Sequence, residues 1–256
     1  MSRDTARQYV NLFAMLAALT VNILSNALPL NGLNTGEISD RFRVFFVPAG
    51  YVFSIWGVIY LGWIAFIIFQ FRRAQKASRR MRLLGYWFAL SCLFNAAWLF
   101  CWHYERFGLS VLVMLALLAS LIVSYVRLNI GRAHVGAAER WSVDIPFGLY
   151  LGWVSVATVA NISSYLYFIH WDGFGIAPQG WAVIMLAVAS LLGLGMALTR
   201  RDTAFLFVLV WAFVGIAVKQ SATALVANAA WTAAVLSLAL AVWGLAQPRA
   251  RANRHA

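Results

Sequence analysis

The chain has 256 residues, of which 63% are hydrophobic and 11% charged, and its mean hydropathy is +0.78. A soluble domain carries roughly 25% charged residues, so the composition excludes an ordinary soluble fold and indicates a polytopic membrane protein. The net charge of +12 does not point to a nucleic-acid partner, because the basic residues lie at the ends of apolar segments.

Eight apolar segments are predicted to cross the membrane as helices, which makes the fold class all-α. In chain order they cover residues 9–29, 48–71, 83–102, 107–126, 145–168, 180–198, 203–218 and 222–245. The boundary between the last two is the least marked. Asn11, Asn22 and Asn26 lie close to one stripe of the first segment, so we expect that helix to bond to neighbouring helices.

Lysine and arginine are distributed unequally between the two ends of these segments. With the N-terminus inside, the inner connections and termini hold 16 of the 20 basic residues and the outer connections hold 4. Because positive charge favours the cytoplasmic side, both termini are predicted to be cytoplasmic. Connections rich and poor in basic residues alternate along the chain, and this alternation also supports the count of eight spans. The terms inner side and outer side follow this orientation below.

Aromatic residues recur at helical spacing on three segments, so each set shares one helix face. The sets are Phe53, Trp56, Tyr60 and Trp63 on the second segment, Ser91, Asn95, Trp98 and Trp102 on the third, and Tyr150, Trp153, Ala157 and Asn161 on the fifth. Aromatic faces with a few amides suit a flat apolar ligand. Ordinary helix packing explains the same pattern, and the spacing alone leaves both interpretations open.

Residue types that carry catalysis are scarce inside the segments. No Asp or Glu lies well within a span, and Asp144 and Asp202 stand at helix starts, where capping explains them. No histidine or cysteine spacing is typical of a metal site. His103 and His170, on the outer side, are interpreted as interfacial residues, with haem ligation as the lesser alternative. We therefore predict neither a catalytic nor a metal site, and an enzyme is the least favoured class.

Three runs in order carry a family resemblance. The first is Pro48-Ala49-Gly50-Tyr51-Val52-Phe53 with Trp56 and Tyr60, the second is Asn95 with Trp98, and the third is Tyr150, Trp153, Ala157 and Asn161. Over about residues 9–168 the chain resembles the tryptophan-rich sensory protein family (TspO, the bacterial relatives of the mitochondrial translocator protein). It departs from the family pattern at Ala49, where a proline is usual, at Val156, where a phenylalanine is usual, and at Ala160, where a leucine is usual.

The resemblance implies a five-helix bundle over residues 1–168, to which residues 169–256 add three helices of the same membrane domain. It also implies an outer pocket between the second, third and fifth helices, under the loop at residues 30–47, for tetrapyrroles such as protoporphyrin. The implied lining residues are Pro48, Tyr51, Phe53, Trp56, Asn95, Trp98, Trp153, Ala157 and Asn161, to which the aromatic faces add Tyr60, Trp102 and Tyr150.

The favoured hypothesis is thus a multi-pass sensory protein that binds a hydrophobic planar ligand. Its expected partners are the lipid bilayer and that ligand, which would be porphyrin-like or haem-like, and no cofactor is required. The expected location is the bacterial cytoplasmic membrane, and a homodimer is left open. The alternative hypothesis is a transporter of a neutral or amphipathic small molecule.

Overall fold

A computed structural model of the chain describes residues 2–28 and 30–247. The predicted basic tail residues Arg249, Arg251 and Arg254 and the side chain of Asn26 lie outside this description. Within the described ranges the chain is helical and has no β-strand. Asn11 donates to the side chain of Gln70, and Asn22 donates to Asn95, so the predicted amide bonds from the first helix to its neighbours are confirmed.

Each of the eight predicted segments corresponds to one long helix. These helices are α1 (Arg3–Ala27), α2 (Ile55–Gln70), α3 (Trp87–His103), α4 (Phe107–Arg127), α5 (Ile145–Phe168), α6 (Pro178–Arg200), α7 (Thr203–Lys219) and α8 (Ala224–Ala246). Six of them are long and apolar enough to cross a membrane, when α2 and α5 are counted together with the short helical turns that precede them. The other two, α3 and α7, are shorter and have 17 residues each. The chain is therefore a polytopic helical bundle.

Short helices lie in the connections. They are Thr35–Asp40 before α2, Arg73–Lys76 and Arg79–Leu84 before α3, and Ala137–Glu139 before α5. A π-helical turn at Arg140–Asp144 joins this last short helix to α5. The helix Thr35–Asp40 starts with a reciprocal capping box between Asn34 and Glu37.

Two helix starts differ from the sequence prediction. Pro48 precedes α2 by seven positions, because Gly50–Ser54 forms a 3₁₀ turn first. Asp144 does not cap α5, since its carboxylate instead accepts from Arg80 at 2.7 Å. Asp202 does cap α7, by accepting from the backbone N–H of Phe205 at 3.1 Å, so the prediction of a cap is confirmed there.

The first five helices close into a ring. Around the ring, α1 packs on α3, α3 on α4, α4 on α5, α5 on α2, and α2 on α1. The close approach of α2 and α5 depends on Gly62, where a Cβ would lie 2.9 Å from Cβ of Pro146. The ring therefore encloses a core to which all five helices contribute.

The last three helices attach to this ring through α5. Helix α7 packs on α5, α6 and α8, and α6 packs on α8. Gly152 allows the approach of α7, since a Cβ there would lie 3.1 Å from Cβ of Val208 and 3.3 Å from Cα of Phe205. Small residues at helix crossings are a common means of packing in membranes. The division of the chain at residue 168 stays a prediction.

Candidate functional site

A small cavity lies inside the outer half of the ring, and we call it the aromatic chamber. Its volume is about 40 Å³. It is lined by Thr35, Ser39, Pro48, Phe53, Trp56, Trp98, Trp102, Trp153, Val156, Ala157, Ala160, Asn161 and Ser164. These residues come from α2, α3, α5 and the connection over them, which is the region that the sequence predicts for a pocket.

Aromatic rings around the chamber meet edge-on between different segments and stack within α3. Trp153 meets Phe53 edge-on at 5.7 Å and Trp56 edge-on at 6.3 Å between ring centroids. Trp98 and Trp102 stack at 5.7 Å with 20° between their planes. Such pairs each contribute about 0.5–1.5 kcal/mol beyond their burial, so the rings hold one another in place.

The polar groups of the chamber fall into two classes. Asn161 accepts from the indole N–H of Trp98 at 3.1 Å and donates to Ser110 at 2.9 Å, so its amide is already engaged. The indole nitrogen of Trp153 and the hydroxyl oxygen of Ser164 are buried, and neither has a partner among the described residues. Buried polar atoms are normally hydrogen-bonded, so these two atoms are left unsatisfied in the closed structure.

Eight of the twelve predicted site residues line the chamber, and four do not. Tyr60, Asn95 and Tyr150 lie outside its lining: Tyr60 donates to Asn22 at 2.5 Å and Asn95 accepts from Asn22 at 2.7 Å. Tyr51 is 48% exposed, and its ring meets Trp211 of α7 edge-on. The family resemblance implied Tyr51 as a lining residue, but it lies in the 3₁₀ turn Gly50–Ser54, where its ring packs on α7 instead.

The connection between α1 and α2, residues 30–54, covers the chamber, and we call it the lid. One edge of the lid is hydrogen-bonded to the outer end of α3. The indole N–H of Trp102 donates to the carbonyl of Thr35 at 3.2 Å, and the ring nitrogens of His103 lie 3.1 Å from the Thr35 hydroxyl and 3.0 Å from the Leu30 carbonyl. His103 is fully buried, so it anchors the lid instead of lying at the interface, and both nitrogens are occupied.

The other edge of the lid is bonded to α7. The indole N–H of Trp211 donates to the carbonyl of Val52 at 3.0 Å, and the backbone N–H of Ala49 donates to the carbonyl of Gly215 at 3.2 Å. Lys219 pairs with Asp40 at 2.5 Å. The lid is therefore held by a helix outside the five-helix ring, and no sequence motif indicated this contact.

A family model described as TSPO-like protein matches residues 8–243. The chain belongs to the TSPO-like protein family. The resemblance seen in the first five segments is thus confirmed, and the match continues through α6, α7 and most of α8. No curated protein and no solved structure matches the chain.

The TSPO-like chain has a larger cavity on the outer side, across α5 from the chamber. This outer cavity has a volume of about 380 Å³ and lies between lid residues 43–46, one face of α5, and residues 171–185. Trp171 and Trp181, which meet at 5.2 Å, form part of its wall. The sequence did not indicate this cavity, because tryptophans near segment ends have the same pattern whether they line a cavity or form an interfacial belt.

Among residues 2–28 and 30–247, no cluster of three or more His, Cys, Asp or Glu side chains has a geometry that could hold a metal ion. The chamber offers stacking, apolar contact and a few hydrogen-bonding groups, among them the Trp153 indole and the Ser164 hydroxyl.

Proposed function

We propose that this TSPO-like protein is a membrane receptor that binds a flat, largely apolar ligand of the tetrapyrrole class in the aromatic chamber. The ligand would lie between α2, α3 and α5, beneath the lid. The observation that carries the proposal is that two residues of this aromatic lining, Trp153 and Ser164, each hold a buried polar atom with no partner among the described residues. A planar ligand with polar atoms at its edge would satisfy both while it stacks on the surrounding rings.

The volume of the chamber defines what binding requires. A cavity of about 40 Å³ holds roughly two or three water molecules, whereas ligand pockets have volumes of roughly 300–1,000 Å³. Ligand entry therefore needs the lid to move away from α5. Trp102 and His103 hold the lid to α3, and α7 holds its other edge. Opening therefore has to break hydrogen bonds at one of these edges, each of which contributes about 1 kcal/mol net.

Tight packing below the chamber supports binding more than passage through the bundle. Phe66 lies 4.7 Å from Phe88 and 5.4 Å from Phe147, and Trp63 lies 5.2 Å from Tyr150. These rings come from α2, α3 and α5, and all are buried. They fill the ring between the chamber and the inner side. Transport of a small molecule stays the alternative hypothesis, and it predicts flux in proteoliposomes.

The experiment is a titration of the purified protein with protoporphyrin, followed by quenching of tryptophan fluorescence. Ala157→Leu fills the chamber, and Ala182→Leu is the matched control, because the same substitution there fills the outer cavity. We expect saturable binding to the wild type, binding at least about tenfold weaker for Ala157→Leu, and unchanged binding for Ala182→Leu. Thermal unfolding of each variant checks that it is folded.

Two results would count against the proposal. Absence of saturable quenching in the wild type would exclude the ligand class. Weaker binding for Ala182→Leu with unchanged binding for Ala157→Leu would move the ligand to the outer cavity and contradict the placement in the chamber.

A further inference from the structure

A cationic cleft lies at the inner end of the bundle, on the side opposite the chamber. It has a volume of about 500 Å³ and is formed by the connection between α4 and α5, the turn between α6 and α7, and the start of each following helix. Its charged lining consists of Arg132, Arg140, Arg200 and Arg201 with Asp144 and Asp202. Four cationic and two anionic side chains give the lining an excess of positive charge.

Both carboxylates of the cleft are engaged by groups behind its wall. Asp144 accepts from Arg80 at 2.7 Å. Asp202 accepts from the hydroxyl of Tyr125 at 2.7 Å and from the backbone of Phe205 at 3.1 Å. Burial raises the pKa of Asp202 above its usual range. Even with both carboxylates charged, four arginines and two aspartates leave the lining with a net positive charge.

The arginines keep donors available. Arg132 and Arg200 each approach a backbone carbonyl at 3.4 Å, that of Thr199 and that of Ile130. Among the described residues, Arg132, Arg140 and Arg200 form no salt bridge with a carboxylate. A guanidinium presents several N–H donors in a planar fork that matches a phosphate group. The cleft therefore has both the charge and the donors for a phosphate.

Close backbone contacts give the cleft a defined shape. Gly131 has φ +79°, and a Cβ there would lie 2.1 Å from the carbonyl oxygen of Arg200. A Cβ on Gly148 would lie 2.7 Å from a carboxylate oxygen of Asp202. The loop before α5 is thus pressed against the end of α6, and α5 against the start of α7. The arginines are held around one concave site and are not scattered over the inner surface.

An apolar groove adjoins the cleft. Its volume is about 610 Å³, and it shares Arg140, Ile145 and Thr203 with the cleft lining. Trp141 and Phe207 form part of its wall and are 69% and 43% exposed. In a membrane protein such exposed apolar walls face lipid chains. The cationic cleft and the apolar groove therefore share residues at the inner end of the bundle.

We propose that the cleft and groove bind one anionic phospholipid, with its phosphate among the arginines and an acyl chain along Trp141 and Phe207. Basic pockets between helices on the cytoplasmic side are a recognised basis for anionic lipid binding. The site is separate from the aromatic chamber in position, polarity and ligand, so it does not depend on the proposed receptor function.

The test compares lipid retention by native mass spectrometry of the detergent-solubilised protein, titrated with phosphatidylglycerol or phosphatidylcholine. Arg132→Gln combined with Arg200→Gln removes two cleft charges. The matched control is Arg72→Gln with Arg73→Gln, which removes two charges at exposed inner positions outside the cleft. We expect retention of phosphatidylglycerol about tenfold lower in the cleft variant, within twofold of wild type in the control, and weak retention of phosphatidylcholine throughout.

Two further measurements keep the test decisive. Arg200 also packs over the Tyr125 ring, so the exposed single variant Arg132→Gln is measured as well, and a loss of several-fold is expected. Equal loss in the cleft and control variants would show a general effect of surface charge and overturn the proposal. Binding of inorganic phosphate without retention of phosphatidylglycerol would assign the cleft to a soluble anion and overturn it too.

Discussion

Gly215 offers the sharpest test of how α7 holds the lid. The backbone of Gly215 accepts a hydrogen bond from Ala49 at 3.2 Å. A Cβ at this position would lie 2.2 Å from Cγ2 of Val52 and 3.2 Å from Cβ of Pro48. Val52 is fully buried, and its branched side chain has few rotamers to escape into. Gly215→Ala should therefore push the lid and α7 apart.

The expected magnitude follows from a matched substitution. Gly195 lies in α6, and a Cβ there would meet nothing within 4 Å. Both alanines gain about 1 kcal/mol of helix propensity over glycine, so that gain cancels between the two variants. What remains for Gly215→Ala is overpacking, which costs about 1–3 kcal/mol.

Thermal unfolding in one detergent measures the difference. One kcal/mol shifts the unfolding midpoint of a chain of this size by roughly 2–4 °C, so Gly215→Ala is expected to unfold at least about 2 °C below Gly195→Ala. Gly195→Ala should unfold at or above the wild-type temperature. Equal midpoints for the two variants would refute the close packing of α7 on the lid.

The other predictions use the same unfolding assay. Asn161→Ala removes the acceptor of the Trp98 indole and is expected to lower stability by about 1–2 kcal/mol; an unchanged midpoint would contradict that bond. Asp202→Asn keeps an acceptor for Tyr125 and should unfold near wild type, whereas Asp202→Ala should lose about 1–3 kcal/mol. Burial raises the pKa of Asp202 in the folded state above its usual 3.8, so between these two pKa values the folded state binds more protons than the unfolded state. As the pH rises from 3.8 through the folded-state pKa, the wild type should therefore lose stability relative to Asp202→Asn. Gly131→Ala combines positive φ with a contact at 2.1 Å and should destabilise at least as much as Gly215→Ala.

The helices were predictable because they depend on local properties of the chain. A run of about 20 apolar residues must satisfy its own backbone hydrogen bonds in a bilayer, so each predicted segment became one helix. Periodicity also placed Trp56, Trp98 and Trp153 on faces that meet around one cavity. The helix starts were less predictable, because Gly50–Ser54 forms a tighter turn under packing from α7.

The details of the site depended on contacts between distant parts of the chain. Sequence spacing proposed the Asn161 amide for a ligand, but Trp98 and Ser110 engage it. His103 looked interfacial, yet the lid folds over it and accounts for both ring nitrogens. Neither outcome has a local signal, because a side chain's partners are set by which helices become neighbours.

Composition and helical period, which are properties of short stretches, were enough to establish the membrane environment, the succession of eight helices and the aromatic face of each helix. Packing between helices established that these faces meet around a chamber of about 40 Å³, that α7 holds the lid, and that four arginines surround one inner cleft. Those features arise from packing between helices far apart in sequence, which no single stretch encodes.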